Sequence, residues 1–349
     1  MRRPFSAAVA EKTVLVRRES CIHNRAEARE NFLFPGNLGV YSLAVLQKPL
    51  VEEPFVMNRR AFLEASAGAA VAASLPPFAL GAEHKIQNIG VQLYTVRSVL
   101  KSDFEGVIAK VAQVGYKEIE FAGYFDHSPQ EIRSILDKNH LAAPSCHVGY
   151  DVVENHWQEQ LDAAHAIGHK YIVCPWIDEK QRQSADGWKK AAELFNKAGE
   201  TASKAGVQFA YHNHTFEFKP SPELGGKLPY DYLLTECNPR FVKMEMDLCW
   251  ITVAGKDPVA YFSKYPGRFP LVHVKDIKKL PEGAEGPTEN PDKDVQFLTD
   301  VGSGTINWKR IFAQSGKAGI QHYFVEQDNP SDPIASIRNS YQYLAALRF

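Results

Sequence analysis

From Ile86 onward the chain alternates short, mostly apolar runs with longer stretches in which apolar residues return every third or fourth position. The short runs lie at 89–93, 118–121, 143–147, 171–174, 207–212, 242–246, 269–274 and 323–326. Their β-branched and aromatic content predicts strands. Helical periodicity fills the intervals at 104–114, 129–139, 157–167, 186–205, 230–236, 258–264, 308–315 and 333–346. Gly115, Gly168 and Gly206 stand where helices end, and Ser128-Pro129 and Asp257-Pro258 stand where they begin. Eight strand-then-helix rounds predict a single-domain α/β fold, the (β/α)8 TIM barrel, over an open doubly wound sheet. No Gly-x-Gly-x-x-Gly follows the first strand, which further disfavours a dinucleotide fold. The stretch from Asp276 to Trp308 is rich in Pro, Gly, Glu and Asp and too long for a plain connection. It predicts a substrate lid over the C-terminal mouth of the barrel.

Before Ile86 the pattern changes. Residues 1–56 show no lasting periodicity and are expected to be a non-native extension, because a second start appears at Met57. Asn58-Arg-Arg-Ala-Phe-Leu63 then gives a twin-arginine pattern, followed by an Ala-rich stretch over 65–80 and a small-residue end at Gly81-Ala82. This predicts a Tat-type signal peptide over 57–82 and a mature barrel over 83–349, exported to the periplasm. Pro76-Pro77 breaks the apolar stretch, which is too short for a stable membrane span.

Charge and cysteine content narrow the partners. A formal net charge of −1 offers no bulk attraction to nucleic acid or anionic lipid, and no basic patch is concentrated along the chain. The five cysteines lack Cys-x-x-Cys spacing, which argues against a structural zinc site and against a dense disulfide framework.

Candidate chemistry gathers at strand ends. Residues i and i+2 of a strand share a face, so His212 and His214 project together from the run that also carries Glu217. Asp247, His273 and Glu326 close three later runs in the same style. In a barrel these ends meet at one mouth, so His212, Asp247, His273 and Glu326 are expected to hold one divalent cation. Two imidazoles and two carboxylates suit Mn²⁺, Co²⁺, Zn²⁺, Fe²⁺ or Ni²⁺, with Mg²⁺ also in range, more than Ca²⁺. Lys275 shares parity with His273 and is placed to stabilise a developing negative charge. Trp176 and Trp250 offer apolar platforms for a substrate.

Tyr211-His-Asn-His214, Glu245-Met-Asp247 with Trp250, Gly255-Lys-Asp-Pro258, Tyr265-Pro-Gly-Arg268, His273-Val-Lys-Asp276, Gly302-Ser-Gly304, Asn307-Trp308 and Val325-Glu326 occur in this order. Together they resemble the sugar phosphate isomerase/epimerase family of xylose isomerase-like TIM barrels, from about Ile86 to the C-terminus. The resemblance implies a divalent metal held by Glu, Asp, His and Glu from strands five to eight. Asp247, His273 and Glu326 match the last three, whereas His212 stands where the family has its first Glu. It also implies substrate contacts from Glu120 and His147; Glu217, from the strand-five run, is a further expected substrate contact. The substrate implied is a small carbohydrate, and the reaction starts with proton abstraction beside a carbonyl, by His212, His214 or Glu326 with Lys275 assisting. Reprotonation would make the enzyme an isomerase or epimerase. His212 in place of Glu removes the symmetric carboxylate pair and keeps open a lyase or hydrolase acting on oxidised (3-keto) glycosides, or a non-catalytic carbohydrate-binding barrel. Gly302-Ser-Gly304 is a possible anion contact.

Replacing Arg59 and Arg60 together with lysine is expected to block export, read as the periplasmic fraction of the protein; unchanged export would contradict the twin-arginine reading.

Overall fold

The computed structural model describes residues 83–278 and 295–349. The expected extension over 1–56, the signal peptide over 57–82 and the central part of the expected lid lie outside the described residues.

Eight parallel strands close into a barrel in the order β1-β10-β7-β6-β5-β4-β3-β2. In chain order the elements are β1 (Ile89–Gln92), α1 (Phe104–Val114), β2 (Glu118–Phe121), α2 (Pro129–Lys138), β3 (Ala142–His147), α3 (Trp157–Ile167) and β4 (Tyr171–Cys174). There follow α4 (Ala185–Lys204), β5 (Gln208–His212), α5 (Pro229–Glu236), β6 (Val242–Asp247), α6 (Leu248–Val253), α7 (Pro258–Lys264) and β7 (Leu271–Val274). A two-stranded antiparallel ribbon of β8 (Asp276–Ile277) and β9 (Leu298–Thr299), then α8 (Trp308–Phe312), β10 (His322–Val325) and α9 (Pro333–Ala346), complete the chain. The predicted (β/α)8 architecture is the observed one.

Helix starts follow the predicted capping chemistry. Ser128 and Glu131 form a reciprocal capping box around Pro129, and Asp103, Ser184, Asn307 and Asp332 accept first-turn amides. Two details differ from the pattern. The helix expected over 308–315 ends at Phe312, and a separate turn covers Ser315–Ala318. The short helix α6 was hidden because Leu248, Cys249, Trp250, Ile251 and Val253 are all buried, leaving no polar face to mark a helical period.

Strand parity decides what fills the barrel. Tyr171, Val173, Ala210, Leu271 and Phe324 make a small apolar layer of their own, separate from the larger core between strands and helices. Gly90 makes room for it: a Cβ there would run into the Phe324 ring. Below this layer His322 pairs with Glu118 at 2.8 Å. One step toward the C-terminal ends, the inward positions turn polar, and the site begins there.

Asp276 organises the start of the expected lid. Its buried carboxylate accepts from the amides of Ile277, Gly302, Gly304 and Ile306 and from Trp308 Nε1, at 2.9–3.3 Å. The Gly302 and Gly304 amides therefore bind an anion belonging to the chain itself. Gly304 has no room for a Cβ against that carboxylate.

Asp276→Ala would leave several buried donors without an acceptor, so it is expected to cost about 3 kcal/mol or more, measured by urea unfolding; a loss under about 0.5 kcal/mol would show that the network is not needed for stability.

Candidate metal centre and active site

Strand ends other than that of β4 deliver polar groups into the mouth. Glu120 ends β2 and is fully buried, pinned by Gln92 Nε2 at 2.8 Å and Ser145 Oγ at 2.5 Å. Its Oε2 reaches across the barrel to His273 Nε2 at 2.7 Å and lies 3.3 Å from His147 Nε2. Glu120 is thus tied into the barrel rather than free to meet substrate hydroxyls. Glu245, two residues before Asp247 and on the same face of β6, places Oε2 2.7 Å from His147 Nε2, 3.2 Å from His212 Nδ1 and 3.3 Å from His273 Nε2. It was not among the candidate site residues, although its parity with Asp247 carries the signal.

A second group shares His273. Its Nδ1 lies 2.9 Å from Glu326 Oε2, and Lys275 Nζ lies 2.7 Å from the same oxygen. That ammonium also pairs with Asp247 Oδ2 at 3.2 Å and Asp328 Oδ1 at 2.8 Å, and sits 4.8 Å from the centre of the Trp250 ring. Lys275 does not pair with Asp276. Asp247 Oδ1 accepts from the amides of Cys249 and Trp250, opening α6, and the Asp247 amide donates to Asn213 Oδ1 at 3.2 Å. This cross-link fixes the top of β6 against the chain leaving β5. His212 Nε2 lies 4.0 Å from Asp247 Oδ2.

The four expected ligands fall into two groups of donors joined by His273: His212 stands with His147, Glu245 and His273, while Asp247 and Glu326 share the other side of His273. Both sets consist of donors that a divalent cation takes, but Lys275 stands against the second. In the first, His212 Nδ1 and Glu245 Oε1 are buried and make no hydrogen bond, in a site of high acidic density.

Proton affinities follow the same geometry. Burial pushes His273 down, but Glu245 and Glu326 outweigh it and hold the imidazole well above its usual range. His147, opposed by burial in the same way, is carried up to about 9 by Glu120 and Glu245. For His212 and His214 burial prevails, with the neighbouring imidazoles and Lys275 adding to it, and lowers both, His214 to about 3, so these imidazoles stay uncharged. Burial would raise Glu326, yet Lys275 and His273 hold it below the usual carboxylate range. Burial raises Asp328 to about 6, more than Lys275 lowers it.

A cavity of about 790 Å³ opens above these groups, lined by His147, His212, His214, Lys275, Glu326, Asp328 and Trp176, with Tyr94, Arg97 and Asn329 at its wall. His214 stands edge-on to Trp176 at 4.7 Å between ring centres and faces Phe216 and Trp250 at 6.3 and 6.4 Å. Two expected substrate residues lie elsewhere. Trp250 is buried under Lys275 as part of α6 and does not line the cavity. Glu217 turns away because residues 216–218 form a 3-10 turn that ends strand parity. It accepts from Tyr211 Oη at 2.6 Å and from the His214 amide at 2.9 Å, which makes it a brace behind His214. Asp328, beyond β10, was missed because it lies outside any strand.

A family model described as the xylose isomerase-like TIM barrel matches residues 108–347. The chain belongs to that family. Among its relatives, the inosose dehydratase of Lacticaseibacillus casei is 24% identical over 275 residues, 70% of this chain and 89% of that protein. A sugar phosphate isomerase/epimerase structure from Parabacteroides distasonis superposes with a TM-score of 0.62 at 24% identity, covering 77% of this chain and 96% of that one. The IOLI protein, solved with a bound zinc atom, gives a TM-score of 0.58 at 14% identity over 73% of this chain and 96% of that one.

Burial lifts the Glu217 carboxyl from 4.5 to about 7 against the pull of Tyr211 and the backbone amides. The folded state then keeps a proton that the unfolded state loses, so stability from this group falls as pH rises from about 4.5 to 7 and stays reduced above. Relative to the native protein, Glu217→Gln is expected to gain up to about 3 kcal/mol between pH 5 and pH 8 in urea unfolding; a difference that does not change with pH would contradict this assignment.

Proposed function

We propose that the protein is a metal-dependent lyase that removes an oxygen substituent β to the carbonyl of a polyhydroxylated cyclic ketone, a keto-cyclitol or a keto-sugar. The observation that carries this reading is the unequal pair of proton-transfer groups in the cavity wall: His214, an uncharged imidazole, and Asp328, a carboxyl of raised proton affinity. An epimerase that works on both faces of one carbon needs two comparable bases. Here Glu326 is tied to Lys275 and His273, and the strand-five position is His212. The dehydratase names among the relatives support elimination over isomerisation.

A divalent ion held by the donors around His273 supplies Lewis acidity, which makes the C–H beside a bound carbonyl acidic. His214 accepts that proton. Burial among Trp176, Phe216 and Trp250 keeps the free imidazole neutral, with its lone pair open to a proton. The electron pair of the broken C–H bond forms the new C=C bond as the β C–O bond breaks. Asp328 gives its proton to the departing oxygen, so water or an alcohol leaves with its charge neutralised. Lys275, fixed by the Asp247 and Glu326 carboxylates, places a positive charge beside the developing enolate.

Incubating the metal-loaded protein with 2-keto-myo-inositol and with a 3-keto-glucoside is expected to give water or the aglycone together with an ultraviolet-absorbing enone; exchange of the α-hydrogen with solvent deuterium and no elimination would favour the isomerase reading instead. With Asp328 as the acid, kcat is expected to fall as pH rises through about 6, and Asp328→Asn is expected to abolish that limb and lower kcat about a hundredfold; an unaltered pH profile in the variant would remove Asp328 from the reaction.

A further inference from the structure

His273 joins two groups of donors, and the packing around each separates them. On one side Asp247 Oδ2, Glu326 Oε2 and Asp328 Oδ1 surround Lys275 Nζ at 3.2, 2.7 and 2.8 Å. Three carboxyl oxygens surround one buried ammonium at ion-pair distance, so a positive charge already occupies the space those oxygens enclose. A metal ion bridging Asp247 and Glu326 would share its oxygens with that ammonium at contact distance, where like charges repel strongly.

On the other side no ammonium or guanidinium intrudes. His147 Nε2, His212 Nδ1 and His273 Nε2 lie 2.7, 3.2 and 3.3 Å from a single atom, Glu245 Oε2. His212 and Glu245 are at least nine-tenths buried, and His212 Nδ1 and Glu245 Oε1 have no hydrogen-bond partner. Each of the three rings comes from a different strand, β3, β5 and β7, and Glu245 comes from β6 between two of them. Rigid strands, rather than loops, hold the four donors. Glu120, pinned by Gln92 and Ser145, stands behind with its Oε2 toward two of the rings. His147 and His212 also line the cavity, so this seat opens toward a bound substrate.

We propose that the cation sits on His147, His212, His273 and Glu245, a three-imidazole, one-carboxylate seat, and that Asp247 and Glu326 serve Lys275 instead. This departs from the four strand-end ligands that the sequence pattern implies, by exchanging Asp247 and Glu326 for His147 and Glu245. A set dominated by imidazole nitrogens favours Zn²⁺, Co²⁺, Fe²⁺ or Ni²⁺ over Mg²⁺ and Mn²⁺. The lysine then lies beside the metal rather than competing with it, and the substrate meets both positive charges from the cavity.

The inference rests on the metal-dependent reading but not on the reaction catalysed, and the test reads the ligands directly. The full chain, stripped with chelator and loaded with Cu²⁺, is examined by pulsed electron paramagnetic resonance, which counts coupled imidazoles. Three are expected; two, the number in the strand-end set, would overturn the proposal on the unaltered protein. Co²⁺ affinity is then measured for His147→Gln and Asp247→Asn, the latter a ligand only in the strand-end set and without a hydrogen bond to the four proposed donors. His147→Gln is expected to weaken binding at least about tenfold and to shift the visible cobalt bands, while Asp247→Asn stays within about threefold with its bands in place. An Asp247→Asn variant that loses as much cobalt as His147→Gln would overturn it. A protein with three coupled imidazoles that gives no elimination product would keep this seat and reject the lyase assignment alone.

Discussion

Glu120, Glu245, Asp247 and Glu326 are buried together at the C-terminal end of the barrel, and the rest of the site is a response to that fact. A carboxylate removed from water is tolerated only when cations or hydrogen-bond donors reach it. Gln92 and Ser145 serve Glu120, Lys275 serves Asp247 and Glu326, and His147 and His273 serve Glu245. His273 is the joint, with one ring nitrogen toward Glu120 and Glu245 and the other toward Glu326. Such an array is costly for a structural core, and the barrel already has an apolar layer at Val173, Ala210, Leu271 and Phe324 to supply packing. A site for a cation and a substrate explains why the acidic layer is present above it.

The architecture and the functional site divide along the strand axis. The lower, apolar layer and the surrounding helices hold the strands in register, with Asp247 opposite His273 and His212 opposite Glu245. That register is what brings donors from neighbouring strands to one level. Outside the strands, braces do the same work: Asn213 locks β5 to β6, Glu217 holds the His214 amide, and Asp276 gathers the chain that returns after β9. Removing any brace would loosen a reacting group without touching substrate.

How much of this was legible in sequence depended on whether a residue lay within a strand. Period-two alternation placed His212, Asp247, His273 and Glu326 at one mouth, because a closed parallel barrel sends alternate residues inward and all strand ends the same way. The same alternation marks Glu245 through Asp247, a signal present in Lys-Met-Glu-Met-Asp but outweighed by the strand-end pattern. Beyond the strands parity fails. Glu217 turns outward in a 3-10 turn, Trp250 is carried under Lys275 by a helix without a polar face, and Asp328 reaches the cavity from a loop. The anion site expected at Gly302–Gly304 is filled by Asp276, a pairing across a long connection that local sequence does not encode.

The central claim is that this buried acidic layer is a cation site joined through His273. The most direct measurement is elemental analysis of the native protein and of His273→Gln, each purified, exposed to one equivalent of Zn²⁺ and desalted, with circular dichroism to verify folding. The account predicts about one zinc per native chain and little in a folded variant, because both groups of donors lose their shared ligand. A folded His273→Gln protein that retains zinc as fully as the native chain would contradict it.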